Sequence, residues 1–248
     1  MLDYDARVTV AGQGPGLVLV PGMDGTGRLF YRQVPSLSER YTAATYALRD
    51  AASSMDTLVS DLAAVVDAVS PPGDRATIVG ESFGGALGLS FALAYPERVA
   101  ALVVLNSFPY FAPQGRLRLA IAALGAMPWG AMAVVRRLTA TRMHSRHTHR
   151  QEIRRFLELS ADITREGYLG RLRLLREYDV RPRLPDLRVP ALFLAAEFDR
   201  LVPSVEQARL MASRTPRGTF RRLDGHGHIC LIAPDLSLAE LLQEWRFE

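Results

Sequence analysis

The stretch Gly80-Glu81-Ser82-Phe83-Gly84-Gly85 has the residue types and spacing that can activate a serine hydroxyl. It follows an apolar run at residues 76–79 and precedes a run of small and apolar residues that ends at residue 94. A strand, then G-x-S-x-G, then a helix is the context in which a sharp turn presents a nucleophile, here Ser82. The alternative interpretation is an ordinary glycine-rich loop, because five residues alone are a weak signal.

A serine hydroxyl is a poor nucleophile at neutral pH, so it needs a base and an acid that orients the base. In an enzyme built on strand–helix alternation, the acid and the histidine follow the serine in that order. Asp199 follows a late apolar run at residues 191–196 and is the predicted acid. Glu197, nearer the end of that run, is the alternative, whereas the earlier run at 99–105 leads into Asn106, which has no carboxylate.

Two histidines lie in the loop after the last predicted strand, in the sequence Asp224-Gly225-His226-Gly227-His228. His228 directly precedes an apolar run and is the predicted general base. His226 is the alternative; if His228 is the base, we expect His226 at the edge of the site or in a local hydrogen bond.

An oxyanion needs two backbone N–H donors that point at one position. The residue after the nucleophile, Phe83, supplies one donor. The glycine-rich loop at residues 21–27, which follows a central strand, supplies the other, with Met23 as its predicted donor. This loop does not match a phosphate-binding loop or a dinucleotide fingerprint, and the chain contains no lysine.

Four further residues are candidates for substrate contact, namely Asp24, Phe30, Trp129 and His226. For Trp129, packing within its helical segment is the alternative. The spacing of His147, His149 and Glu152 fits no common zinc pattern, so no metal site is expected. Cys230 lies in an apolar run, and we expect it to be a small buried residue.

Alternating strand and helix signals must position these side chains. Strands are predicted at residues 7–10, 16–20, 41–48, 75–79, 99–105, 191–196 and 219–223. Between residues 110 and 185 the pattern contains only helices, predicted at 116–124, 128–141, 150–161 and 165–178. We therefore predict an α/β fold with a mostly parallel central sheet and helices on both faces, formed by residues 1–109 and 186–248. Residues 110–185 are predicted to form an inserted helical cap over the carboxyl ends of the strands, where ligands bind in such sheets.

Composition bounds the class of protein. The chain has 248 residues, of which 48% are hydrophobic, and a net charge of +4. Its single cysteine excludes an internal disulfide framework. Residues 110–187 hold 15 arginines and 7 acidic residues, a basic segment that hints weakly at an anionic substrate or partner. No aromatic-basic pattern predicts nucleic-acid binding. We expect no membrane span and a cytoplasmic protein, and the oligomeric state is not readable.

Taken together, the loop at residues 20–27, the hexapeptide around Ser82, the segment at 199–203 and Gly227-His228 resemble the α/β-hydrolase superfamily. In particular the sequence resembles esterase- or lipase-like members with a helical cap. The resemblance implies that Ser82 is the nucleophile, His228 the base, Asp199 the orienting acid, and Met23 and Phe83 the oxyanion donors. One departure is Pro21-Gly22, where many members carry His-Gly.

This resemblance implies a carboxylester hydrolase that forms an acyl-enzyme intermediate on a small-molecule ester or acyl substrate. It requires no metal and no organic cofactor. An acyltransferase with the same triad is the first alternative, and a non-catalytic ligand-binding member of this fold is the second. The acyl chain length is not readable from the sequence.

Overall fold

One seven-stranded sheet organises the chain in the computed structural model, which describes residues 7–71, 73–111 and 114–245. The strands are β1 (Thr9–Ala11), β2 (Gly16–Val20), β3 (Thr42–Thr45), β4 (Ala76–Glu81), β5 (Val99–Leu105), β6 (Ala191–Ala196) and β7 (Gly218–Leu223). Their order across the sheet is β1-β3-β2-β4-β5-β6-β7. β1 runs antiparallel to β3, and the other neighbouring strands are parallel. The carboxyl ends of β4 to β7 therefore meet at one edge.

Helices cover both faces of this sheet. In the described ranges the α-helices are α1 (Val34–Ser38), α2 (Met55–Asp67), α3 (Phe83–Ala94), α4 (Gln114–Ala126), α5 (Met132–Met143), α6 (Arg150–Leu159), α7 (Arg165–Leu174), α8 (Ser204–Arg214) and α9 (Leu238–Trp245). α2, α3 and α8 pack in one hydrophobic cluster, and α1 and α9 in another on the opposite face. β2, β4 and β6 are buried along their whole length, which explains their nearly continuous apolar sequence.

The four helices α4 to α7 form an insertion between β5 and β6. The chain leaves and rejoins the core at adjacent points, since Tyr110 pairs with Asp179 and the N–H of Val180 donates to Pro109 O at 2.8 Å. No single helix of the described ranges is long and apolar enough to cross a membrane. The pair Gln114–Ala126 and Trp129–Thr139, bent by 116°, meets that test only when the two are taken together.

The predicted fold class is confirmed, and each predicted strand has a counterpart. Ser54 caps the N-terminus of α2, because its Oγ accepts from the N–H of Thr57 at 3.2 Å. The predicted helix at residues 128–141 starts differently. Pro128 has an extended ψ of 127° and precedes a short 3-10 turn (Trp129–Ala131), so α5 begins only at Met132.

Candidate active site

Ser82 occupies the single residue between the end of β4 and the start of α3. Its backbone has φ 54° and ψ −118°, outside the regions that non-glycine residues normally populate. Two hydrogen bonds hold this conformation: the N–H of Ser82 donates to Leu105 O at 2.9 Å, and Ser107 Oγ donates to Ser82 O at 2.6 Å. Such strain is typical of functional sites and costs roughly 1–3 kcal/mol. The turn separates the Ser82 side chain from both flanking elements.

Gly80 and Gly84 are required by close packing around this turn. A Cβ on Gly80 would lie 2.2 Å from the carbonyl oxygen of Gly84, and a Cβ on Gly84 would lie 2.2 Å from the carbonyl oxygen of Val20. Both obstacles are backbone atoms, so neither can rotate away. The glycines of the G-x-S-x-G pattern thus allow β4, α3 and β2 to approach one another at the nucleophile.

A chain of hydrogen bonds links Ser82, His228 and Asp199. His228 Nε2 lies 3.1 Å from Ser82 Oγ, and His228 Nδ1 lies 2.7 Å from Asp199 Oδ2. Asp199 lies in the loop after β6 and His228 in the loop after β7, so the parallel sheet brings them to the same edge as Ser82. The side chains of Asp199 and His228 are only 1% and 4% exposed. This arrangement can transfer a proton from a serine hydroxyl to an imidazole that a carboxylate orients.

Asp199 is held by its own loop as well as by His228. Its Oδ1 accepts from the N–H groups of Leu201 and Val202 at 2.9 and 3.0 Å, and its Oδ2 accepts from Ser204 Oγ. Burial alone would raise the pKa of Asp199. The nearby His228 and these hydrogen bonds outweigh burial and hold the pKa below its usual range, so the carboxylate stays ionised.

The interaction between Asp199 and His228 also shifts the pKa of His228, in the opposite direction to that of Asp199. Burial by itself would lower the pKa of the imidazole, but the charge and hydrogen bond of Asp199, with a smaller contribution from Glu81, raise it above its ordinary value. The imidazolium that forms when His228 takes a proton is therefore stabilised at the site.

Asn106, at the end of β5, positions the histidine loop. Its Nδ2 donates to His228 O at 2.8 Å, and its Oδ1 accepts from the N–H of Ala196 at 2.7 Å. The side chain is fully buried and connects the ends of β5, β6 and the loop of His228. From the sequence, Asn106 is considered only as a residue that lacks the carboxylate of a catalytic acid. The position of an amide directly after a central strand was the available signal for this role.

The two alternative candidates have other partners. Glu197 Oε2 accepts from the N–H of Gly225 at 2.9 Å and so supports the loop that precedes the histidines. His226 Nδ1 lies 2.9 Å from Ser145 Oγ in the segment after α5. The structure places His228, rather than His226, beside Ser82.

A cavity of about 300 Å³ lies directly above this chain of hydrogen bonds. The core contributes Ser82, His228, Met23, Asp24 and Glu81 to its lining, and the insertion contributes mostly apolar side chains from α5 to α7. A more open hollow of about 560 Å³ lies at the opposite edge, beside Thr77, Ala101 and Gly218 near the amino ends of the strands. The candidate site is therefore enclosed between the sheet edge and the inserted helices.

The family comparison agrees with this geometry. Residues 15–233 match the family model described as the alpha/beta hydrolase fold, which is most of the chain. The chain belongs to the α/β-hydrolase fold family. The family resemblance inferred from the sequence is therefore confirmed.

Sequence relatives of this α/β hydrolase include proteins named "Putative carbamate hydrolase RutD". The one from Yersinia enterocolitica is 29% identical over 223 residues, covering 86% of this chain and 80% of the relative. The one from Azorhizobium caulinodans is 27% identical over 248 residues, covering 94% and 92%. These relatives match the α/β hydrolase over nearly its full length.

Solved structures share the fold. The enol-lactonase from Burkholderia xenovorans LB400 superimposes with a TM-score of 0.84 at 19% identity, covering 97% of this chain and 96% of that one. A thermophilic esterase from Thermogutta terrifontis gives 0.83 at 21% identity, covering 97% and 92%. At these identities the likeness concerns the fold of the α/β hydrolase alone.

Phe83 and Met23 are the candidate oxyanion donors in this α/β hydrolase. Phe83 is the first residue of α3, where N–H groups have no acceptor within the helix. Met23 lines the cavity, and the buried Arg171 of α7 supports its loop: Arg171 Nε donates to Met23 O at 3.1 Å and Nη2 donates to Asp24 O at 3.2 Å. The insertion thus contacts the loop from which Met23 comes.

The candidate substrate contacts separate into two groups. Asp24 lines the cavity. Phe30, Trp129 and His226 are not among the described residues that line it. Phe30 is buried in the hydrophobic cluster that also contains residues of β2 and α1, and Trp129 donates through Nε1 to Ile163 O at 3.1 Å. Any contact of these three side chains with a substrate therefore requires a ligand that extends beyond this cavity.

Glu81 was not identified as a site residue from the sequence. It lies between Gly80 and Ser82, is buried, and lines the cavity beside His228 and Asp24. Burial raises the pKa of Glu81 to about 7. The carboxylates of Asp24 and Asp199 act in the same direction, and His228 acts against them. An acidic residue inside the nucleophile motif was the signal, but its burial becomes visible only once β4 is placed against the loop of Gly22.

Proposed function

We propose that this α/β hydrolase is a serine hydrolase that cleaves carboxylic esters through an acyl-enzyme intermediate. The observation that carries the proposal is the continuous hydrogen-bonded chain from Ser82 Oγ through His228 to Asp199 at the floor of a cavity. A buried carboxylate, an imidazole and a serine at hydrogen-bonding distances are the parts that acyl transfer requires.

In this mechanism His228 Nε2 accepts the Ser82 proton while Oγ attacks the ester carbonyl. The ionised Asp199 keeps the proton on Nδ1 and stabilises the imidazolium. The N–H groups of Met23 and Phe83 receive the negative charge that develops on the carbonyl oxygen. His228 then returns the proton to the leaving alcohol, and a water molecule activated by the same imidazole releases the acid.

Residues 110–185 act as a cap in this proposal. Side chains of α5, α6 and α7 line the cavity over Ser82, among them Met132, Phe156 and Tyr168. The apolar part of this lining favours a substrate with hydrocarbon next to the scissile carbonyl, because apolar surface is then removed from water on binding.

A carbamate is the second candidate substrate. The relatives that are 27–29% identical carry the name of a carbamate hydrolase, and the same triad can attack a carbamate carbonyl. Transfer of the acyl group to an alcohol in place of water is a further alternative that uses the same intermediate.

The test compares the wild-type enzyme with Ser82→Ala on p-nitrophenyl esters of graded chain length and on a phenyl carbamate. We expect Ser82→Ala to lower turnover by roughly 10⁴-fold or more and to abolish labelling by a fluorophosphonate. Ser90→Ala is the matched control, since Ser90 lies on the adjacent helix α3 with its Oγ bonded to Ala86 O at 3.1 Å. Turnover that survives in Ser82→Ala would refute the proposal. Added alcohol separates hydrolysis from transfer.

A further inference from the structure

An arginine side chain is part of the lining of the cavity above Ser82. Of the described residues in that lining, Arg136 of α5 is the one arginine, and the chain has no lysine. The side chain is half-buried among Trp129, Tyr168 and Ser160. A cation is unexpected on an otherwise mostly apolar wall, because removing charge from water is costly unless a partner compensates it.

The protein satisfies this guanidinium only in part. Nη1 donates to Ser160 O, and the guanidinium carbon lies 5.6 Å from the centre of the Trp129 ring. Nη2 is buried and has no hydrogen-bond partner among the described residues, and within those residues Arg136 forms no ion pair. Burial lowers the pKa of Arg136, and Tyr168 and Asp24 only oppose that effect.

Ser160 supplies a second unsatisfied donor beside Arg136. Its side chain is 1% exposed, and its Oγ is buried with no hydrogen-bond partner in the described structure. Among the described side chains with a buried, unbonded nitrogen or oxygen atom, Arg136 and Ser160 are the two that line the cavity. A guanidinium N–H next to a hydroxyl O–H is a donor pair that suits a carboxylate, which only accepts.

Arg171 of α7, which also lies near the site, is a buried arginine whose charge and N–H groups have partners within the protein. It is 2% exposed, donates to two backbone oxygens, and its Nη1 lies 3.5 Å from Asp50 Oδ1. Asp24, a carboxylate in the same cavity lining, is instead bonded within its own loop, since its Oδ2 accepts from the N–H and Oγ1 of Thr26 at 2.9 and 2.7 Å. The protein therefore leaves the Arg136 position for an acceptor from outside.

We infer that Arg136 and Ser160 form a carboxylate subsite, so that the ester cleaved at Ser82 carries a second, free carboxylate in its acyl or alcohol part. A half-ester of a dicarboxylic acid is the simplest substrate of this class. This inference rests on the proposed function, because it names the substrate class of the same site. It also gives a role to Arg136, the one arginine among the described residues that line the cavity.

The test compares monobutyl succinate, glutarate and adipate with the matched neutral amides, in which a carboxamide replaces the free carboxylate. We expect the wild-type enzyme to prefer at least one carboxylate over its amide in kcat/KM by roughly 10- to 100-fold, as for a charge-assisted hydrogen bond. Arg136→Gln should bring that ratio close to 1, chiefly through KM, and Ser160→Ala should lower it less. Arg137→Gln, which removes an exposed arginine of the same helix, should leave the ratio unchanged.

Calorimetric binding of glutarate to Ser82→Ala separates the subsite from the chemistry. We expect glutarate to bind at least tenfold more weakly when Arg136→Gln is added. Arg136-dependent binding without any ester turnover would support the subsite and overturn the proposed function. The subsite would be overturned if turnover depended on Ser82 but the carboxylate-to-amide ratio of kcat/KM were near 1 and glutarate binding did not change on Arg136→Gln. The proposed function would be unaffected by that result.

Discussion

At the scale of single residues, the site depends on the absence of side chains at Gly80 and Gly84 as much as on the hydroxyl of Ser82. Ser82 adopts a positive φ that few non-glycine residues tolerate, and it can do so because Gly80 and Gly84 leave room for backbone oxygens at 2.2 Å from where a Cβ would be. Gly88, on the same helix as Gly84, is different: a Cβ there would meet only side-chain methyl groups, at 3.2 and 3.5 Å. Gly80 and Gly84 are therefore not equivalent to Gly88.

Glu81 makes the stability of the protein depend on pH. Its pKa is raised to about 7 in the folded protein, above the ordinary value of 4.5. The folded state thus favours the neutral carboxyl, and this contribution to stability is fully present below pH 4.5 and is lost as the pH rises through about 7. We expect the free energy of unfolding of Glu81→Gln, relative to that of wild type, to increase from pH 5 to pH 8 by on the order of 3 kcal/mol.

Urea unfolding at both pH values measures this difference. Glu97→Gln removes a negative charge from an exposed position and serves as the control. If the difference between wild type and Glu81→Gln were the same at pH 5 and pH 8, the neutral carboxyl would be the wrong description of Glu81.

The order of the motifs along the chain predicts Ser82, Asp199 and His228 as a set, because strand–helix alternation in a parallel sheet brings the loops after the strands to one edge. It leaves one alternative acid and one alternative histidine open. It does not predict Glu81 or Asn106, whose surroundings come from distant segments. Asn106 contacts the end of β6 and the loop of His228, about 90 and 120 residues further along the chain. No local pattern records such contacts.

At the scale of elements, the strands were easier to predict than the helices of the insertion. The central strands are buried on both faces, so continuous apolar runs identify them. The predicted end of α7 is too late because arginine and leucine are good helix formers, so the helical sequence pattern continues beyond the helix. α7 ends at Leu174, four residues before the predicted end at Tyr178.

α7 also supports the loop of Met23, through Arg171. The guanidinium bonds to Met23 O and Asp24 O, and it fits there because Gly25 and Gly167 have no side chains: a Cβ on Gly25 would lie 2.5 Å from it, and one on Gly167 would lie 3.0 Å from it. We expect Arg171→Met to destabilise the protein by about 2–3 kcal/mol, because the two carbonyls lose their charged donor. We also expect it to lower kcat more than it raises KM, because the loop that carries the Met23 N–H loses its support.

Thermal unfolding and ester kinetics measure the two effects, and affinity for a trifluoromethyl ketone reports the oxyanion donors directly. Arg173→Met changes an exposed arginine of the same helix and is the control. A variant that lost stability but kept its wild-type kcat and inhibitor affinity would limit Arg171 to a structural role.

At the scale of the whole molecule, the insertion and the sheet share one hydrophobic cluster. Leu117, Leu169 and Leu175 of the insertion are buried together with Val18 and Ile78 of the sheet. Each leucine that is fully buried in this way contributes about 1.5–3 kcal/mol, so exposing the insertion alone would remove several such contributions at once. The insertion and the core are therefore expected to unfold together, although their sequence patterns differ.

The two tryptophans of the chain allow this expectation to be tested, because they lie in different parts of the molecule. Trp129 lies in the insertion, with its ring 6.0 Å from that of Tyr168, and Trp245 ends α9, with its Nε1 3.4 Å from Thr219 Oγ1 on β7. Trp245→Phe leaves a reporter of the insertion, and Trp129→Phe leaves a reporter of the core. We expect the urea transitions of both fluorescence signals to coincide with that of far-UV circular dichroism measured on the same variant, as in two-state unfolding. If the Trp129 fluorescence of Trp245→Phe changed at a lower urea concentration than the circular dichroism of the same variant, the insertion would unfold as a separate unit. The apolar contacts between the insertion and the sheet would then be too weak to make them unfold together.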